Sequence, residues 1–283
     1  MSVVAAKTKY RRPAVALSDL SVTEFLTLSR VGFLPHGMVV GCAVYDAGVG
    51  AYQRRTHELD QMSEAMRAAR AIAVSRMREQ AKELDAEGVV GVRLNVEHHT
   101  WRGGHNVAKF VALGTAIAFD HEHGPEELQH APPLRLADGE PFTSDLSGQD
   151  FVTLLRAGYR PVDLAMGCCV YEIDRTAVGT FNLRNEEIAE YTSAFFDARE
   201  AAMDRLAQDL FKRWPPGHPD APAGVVGMTV TEMIHGEKAQ LQLRQVPVVE
   251  FTAVGTAVAH LQPGDPRRAA QLPTPAIVVP LDR

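Results

Sequence analysis

The chain has 283 residues, 46% hydrophobic and 23% charged, with a formal net charge of −6. That balance suits a globular protein of one large domain or two ordinary ones, with a core that needs no staples. It excludes the basic excess by which nucleic-acid binders hold phosphates, and no apolar run approaches the roughly 18 residues needed to cross a bilayer.

The N-terminal arm, residues 1–14, carries the one basic run, Lys7, Lys9, Arg11 and Arg12, and reads as a solvated arm. It lacks a secretory-type apolar core, and three cysteines (Cys42, Cys168 and Cys169) are too few and odd in number for a disulfide framework. A reducing, cytoplasmic setting is expected. Next comes SDLSVTEFLTLSRVGFLPHGMVVGCAVYD, Ser18 to Asp46. Its VTEFLTLS reads as a helical turn with Ser21 or Asp19 as cap, a short strand being the alternative, and the following run as a strand.

From Thr56 to Asp85 the apolar residues Leu59, Met62, Met66, Ala69, Ala73, Met77 and Ala81 recur in steps of three or four, which predicts one long amphipathic helix. GVVG follows at Gly88–Gly91. Val90, Val92, Leu94 and Val96 then alternate with Arg93, Asn95 and Glu97 as a half-buried strand. FVALGTAIAF, Phe110 to Phe119, is a second β-rich run.

The same series then returns. SDLSGQDFVTLLRAGYRPVDLAMGCCVYE, Ser144 to Glu172, matches the opening segment without a gap at an offset of 126. Ile188, Tyr191, Phe195, Ala198, Ala202, Leu206 and Leu210 match the helix positions at an offset of 129. Gly224–Gly227 repeats GVVG at 136, and FTAVGTAVAH, Phe251 to His260, repeats the last strand at 141. Each increase falls between elements, where insertions are tolerated. The largest coincides with the proline-rich loop Arg213–Gly224, where proline stops the helix.

The expected fold class is therefore α+β, with two tandem β-α-β-β domains, each a small sheet with one face covered by a long amphipathic helix. The expected organisation is an arm (1–14), repeat 1 (15–120), a proline-containing linker (121–141), repeat 2 (142–261) and a proline-rich tail (262–283). In that tail Ala276, Ile277, Val278, Val279, Pro280 and Leu281 form an apolar segment. It can dock as an added strand on a protein partner or pack on its own domain.

Candidate chemistry is sparse. Cys42 and Cys168 match across the repeats and, by strand parity, read as small buried hydrophobes. Cys168 and Cys169 point to opposite faces of a regular strand, so one metal cannot easily share them. Of the histidines His98, His99, His105, His121, His123 and His130, only His99 has a counterpart, His235, and none has zinc-site spacing. The metal candidates are thus Cys42, Cys168, Cys169, His99 and His235, with no metal identified. Tyr45–Asp46 and Tyr171–Glu172 also match and suit either proton transfer or a structural hydrogen bond. Neither a phosphate-loop nor a nucleophile-elbow motif occurs.

EAMRAARAIAVSRMREQAKELDAEGVVGVRLNVE, Glu64 to Glu97, together with VALGTAIAF, Val111 to Phe119, resembles the YbjQ-type family named for heavy-metal binding. The resemblance covers most of repeat 1 and extends to repeat 2 through the internal match. It implies a small β-α-β-β, dodecin-subunit-like domain that assembles into rings, usually pentamers. Arg93, Asn95, Thr229 and Thr231 stand where the family tends to carry acidic residues, so that face offers no acidic metal cradle. The expected function is a non-enzymatic, ring-forming homo-oligomer that presents loops and its tail to a partner or encloses a small ligand. The alternatives are a metal-binding protein and an enzyme with its site at the subunit interface.

Overall fold

The computed structural model describes residues 15–46, 59–101, 105–173, 187, 189–238 and 245–268. The elements run α1 (Val22–Arg30), β1 (Phe33–Asp46), α2 (Asp60–Glu83), β2 (Gly88–Trp101), β3 (His105–Phe119), β4 (Phe142–Thr143), α3 (Gly148–Arg156), β5 (Tyr159–Glu172), α4 (Ala189–Arg213), β6 (Gly224–Lys238) and β7 (Gln245–His260). The architecture is mixed α+β with two sheets, ordered β1-β3-β2-β4 and β5-β7-β6.

Local chemistry sets the boundaries. Ser21 caps α1 in a reciprocal box: its hydroxyl accepts from the Glu24 N–H at 3.2 Å, and the Glu24 carboxylate accepts from the Ser21 N–H at 2.8 Å. Ser147 caps α3 without the reciprocal backbone bond: its hydroxyl accepts from the Asp150 N–H at 3.1 Å and donates to the Asp150 carboxylate at 2.7 Å. Both sheets break register at matched places. One pair of shifts lies between Pro35 and Gly37 and between Pro161 and Asp163, where a residue without an N–H cannot serve the ladder. The other lies between Val90 and Arg93 and between Val226 and Thr229. There Gly91 and Gly227 take φ of +63° and +66°, a conformation that L side chains avoid, so the second glycine of each GVVG is a bulge residue.

The cores show why helix and strand carry small residues. Ala69, Ala73 and Ala81 of α2, and Ala198 and Ala202 of α4, have no exposed surface. A Cβ added at Gly41 would overlap the Ala73 carbonyl oxygen, and one at Gly167 would overlap the Ala202 carbonyl oxygen. Each helix backbone therefore lies directly on its strand, with no room for a methyl group.

Three features depart from the sequence reading. The two sheets do not each have a helix to themselves. Helix α2 packs on the β1 face through Met66, Ala73 and Met77 and shares the same core cluster with Leu164, Cys168 and Val170 of β5. The layers are the first sheet, α2, the second sheet and α4. Moreover, β4, from beyond the expected linker, pairs parallel with β2 and makes the first sheet four-stranded. The expected linker itself is anchored: Leu128, Leu134 and Leu136 are buried, and the Glu87 carboxylate accepts from the Leu134 N–H at 2.7 Å. Its polar residues gave no sign that alternate leucines would be drawn into the core.

Replacing Gly167 by alanine is expected to destabilise the protein by about 2–3 kcal/mol or more, because the obstructing atoms are helix backbone and cannot turn aside. Gly224→Ala, at a position open to solvent, is the control and should stay within about 0.5 kcal/mol. Urea denaturation monitored by circular dichroism measures both.

Candidate functional site

The contact between α2 and β5 brings together Ser63, Arg78, Asp163 and Cys168. The Leu59 N–H donates to the Val170 carbonyl at 2.9 Å, and the Val170 N–H donates to the Ser63 hydroxyl at 3.0 Å. The Cys168 thiol donates to the Ser63 carbonyl at 3.6 Å. One helical turn thus satisfies the end of a strand from the other sheet. Further along the same helix stripe Arg78 pairs with the Asp163 carboxylate. Asp163 also accepts from the Thr143 hydroxyl and from Arg213 of α4 at 2.5 Å. Its side chain is 1% exposed, so one buried carboxylate joins α2, β4, β5 and α4. Two guanidinium partners and a hydroxyl offset its desolvation.

The sequence candidates fall on different layers. Cys168 is buried under α2, and Cys169 is buried on the opposite face of β5 within the α4 core cluster. The expected opposition of the pair is what the strand shows. Burial pushes the Cys168 thiol up from its ordinary value, outweighing the nearby Arg70, which acts the other way. A thiol held protonated is a poor nucleophile and a poor metal ligand.

Cys42 departs from its expected burial. It lies on the face of β1 turned away from α2 and is only partly covered, while its strand neighbour Val44 is 55% exposed. The helix covers the Gly41 face, whereas the face equivalent to Cys42 is covered only in the second sheet. Cys42 and Cys168 therefore lie on opposite sides of α2, with the first sheet between Cys42 and the helix.

His99 and His235 occupy matched register positions in β2 and β6, opposite Val107 and Val248. Among the described residues no group of three or more His, Cys, Asp or Glu side chains converges to hold a metal ion. Of the three thiols, the two buried ones face apart, and the third belongs to another sheet. The Tyr171 hydroxyl donates to Asp197 of α4 at 3.2 Å, a tie between strand end and helix. Residues 276–281 lie outside the described residues.

The sequence reading missed Ser63, Arg78 and Asp163. For Asp163 the signal was there: it is a carboxylate inside the apolar run PVDLAMGCCV. Nothing in the spacing of Ser63 or Arg78 says that their side of the helix meets a second sheet. Among the described residues no helix is long and apolar enough to cross a membrane.

Two comparisons bear on this architecture. Residues 37–120 match the model of the YbjQ_1 family, described as "Putative heavy-metal-binding". The chain is also 36% identical over 274 residues to the encapsulin nanocompartment protein Rv1762c of Mycobacterium tuberculosis, a match covering 94% of this chain and 91% of that one.

Asp163→Ala leaves Arg78 buried without its carboxylate and is expected to cost about 3 kcal/mol or more in chemical denaturation. A loss under 1 kcal/mol would show that the carboxylate does not tie these elements together. In maleimide labelling followed by peptide mass spectrometry, Cys168 and Cys169 should react only after unfolding. Ready reaction of Cys168 in the folded protein would contradict its burial under α2.

Proposed function

The chain belongs to the family of the Mycobacterium tuberculosis encapsulin nanocompartment protein, with a YbjQ-type unit at residues 37–120, and on that footing we propose that it is a non-enzymatic assembly subunit. The carrying observation is the match along nearly the whole chain to a protein named for a nanocompartment. A shared fold by itself says little about function, but a match of this length spans nearly the whole chain and not one unit of it.

In this reading the chain is a tandem of two β-α-β-β domains, 15–120 and 142–261, and copies associate with one another into a closed ring. Three observations support it. The element order repeats, the register shifts repeat, and the two glycine contacts with helix backbone repeat. Burial of Cys168 with its thiol held protonated favours a packing role over a catalytic one. Sheets as small as three strands keep open edges and faces, and self-association is a common way to cover them.

Native mass spectrometry of the full chain tests this reading directly. The expected result is a homo-oligomer, with five copies as the count implied by the family resemblance. A strict monomer at micromolar concentration would overturn the assembly reading. A different count would remove the pentamer and leave assembly standing. Metal retained stoichiometrically, and lost in a Cys42→Ala/Cys168→Ala double variant, would support metal binding instead.

A further inference from the structure

Helix α2 covers two faces: the Gly41 face of its own sheet and the Cys168 face of the next. Its second stripe runs through Ser63, Arg67, Val74 and Arg78, with Ser63 bound to β5 and Arg78 paired with Asp163. Val74 is 6% exposed within this layer. Helix α4 carries the same stripe at the 129-residue offset, as Thr192, Phe196, Met203 and Ala207. Among the described residues no third sheet lies beyond α4. Phe196 is 55% exposed and Met203 38%, so the stripe presents large apolar groups to water where α2 presents groups to β5.

The complementary face is open at the other end of the layers. Cys168 and Met166 lie opposite Thr252 and Val254 on the face that α2 covers. Their counterparts in the first sheet are Cys42 and Val40, opposite Val111 and Leu113. These four are only partly covered, and Val44 beside them is 55% exposed. The stack of layers thus ends in an exposed helix stripe on one side and in a partly covered sheet face on the other. Each is the counterpart of a surface already joined inside the chain.

We propose that these two faces bind each other between copies: α4 of one copy seats on the outer face of the β1-β3-β2 sheet of the next, repeating the internal contact of α2 with β5. The occupant is a second copy of this chain, because its α4 carries the stripe matched to this face and because the contact continues an interface that the fold already makes. The inference rests on the assembly reading above and specifies its geometry. The joined faces are unlike, so the association is head-to-tail and either closes as a ring or continues as a filament. The exchange of Arg67 for Phe196 at the stripe, and of Glu250 for Lys109 beside Val44, makes the contact between copies more apolar on the helix side than the internal one. Solvent-exposed aromatic groups on a helix are the usual anchors of such an interface.

The test uses two full-length variants, Phe196→Glu and Val44→Glu, each at a position exposed within one copy, so that the fold tolerates the change. In Val44→Glu the new carboxylate lies opposite Lys109. Sedimentation velocity should find each variant monomeric where the unaltered chain is oligomeric, with association weakened at least about 30-fold by a carboxylate placed in an apolar contact. Mixed in equal amounts, the variants should form a one-to-one dimer and nothing larger, because the mixture retains one intact helix stripe and one intact sheet face. That rescue also shows that both variants are folded. Maleimide labelling of Cys42 should be slow in the oligomer and fast in either variant. Unchanged oligomers in both variants, or a mixture that stays monomeric, would overturn the head-to-tail contact. If the unaltered chain is itself a monomer, the assembly reading fails and this inference fails with it.

Discussion

The contact on which the rest depends is the approach of helix backbone to strand at Gly41 and Gly167. A helix separated from its sheet by ordinary side chains keeps a layer of atoms between backbones. Here the Ala73 and Ala202 carbonyl oxygens occupy the space that a Cβ would take. The close approach places α2 deep on the first sheet and leaves its opposite stripe level with the neighbouring strand β5. Ser63 can then hydrogen bond to Val170, and Arg78 can reach Asp163. The glycine before each of Cys42 and Cys168 thus sets the distance between helix and strand.

That geometry makes α2 the shared wall of two layers. A helix with one apolar stripe covers one sheet, and a helix that covers two needs a second stripe of mixed character. In α2 the second stripe includes serine and arginine, and their partners are strand N–H groups and one buried carboxylate. A purely apolar stripe would leave those groups unsatisfied. The polar residues therefore mark where α2 meets a particular strand in one register, since a displaced Arg78 would lose Asp163. In α4 the same stripe is apolar and uncovered within the chain, and the difference between the helices lies in what each must satisfy.

A large part of the fold was legible in the sequence. The offsets gave the element order, the helix periodicity gave the buried faces, and Ser21 was one of two candidates for the cap of α1. The opposed directions of Cys168 and Cys169 followed from strand parity. The addition of β4 to the first sheet was not legible, because two residues, Phe142 and Thr143, form it and carry no pattern. Burial of Leu134 and Leu136 was also hidden, since isolated leucines in a polar stretch have no periodicity. The site was legible only in part. Asp163 stood out as a charge in an apolar strand, but its partners come from three other elements.

The sequence by itself determined that one series of helix and strand patterns occurs twice, because matched periodicities and matched glycines are properties of the chain taken in order. It also determined that Gly41 and Cys42, like Cys168 and Cys169, lie on opposite sides of their strands, since the pleat alternates with period two. Tertiary structure alone decided that the Cys168 face is covered and the Cys42 face is open. The two cysteines are equivalent in sequence, each following a glycine on an apolar strand. What separates them is that α2 has a second sheet beside it, while among the described residues no helix covers the outer face of the first sheet around Cys42 and Val44. Burial depends on what lies across the gap, and a local pattern does not record that.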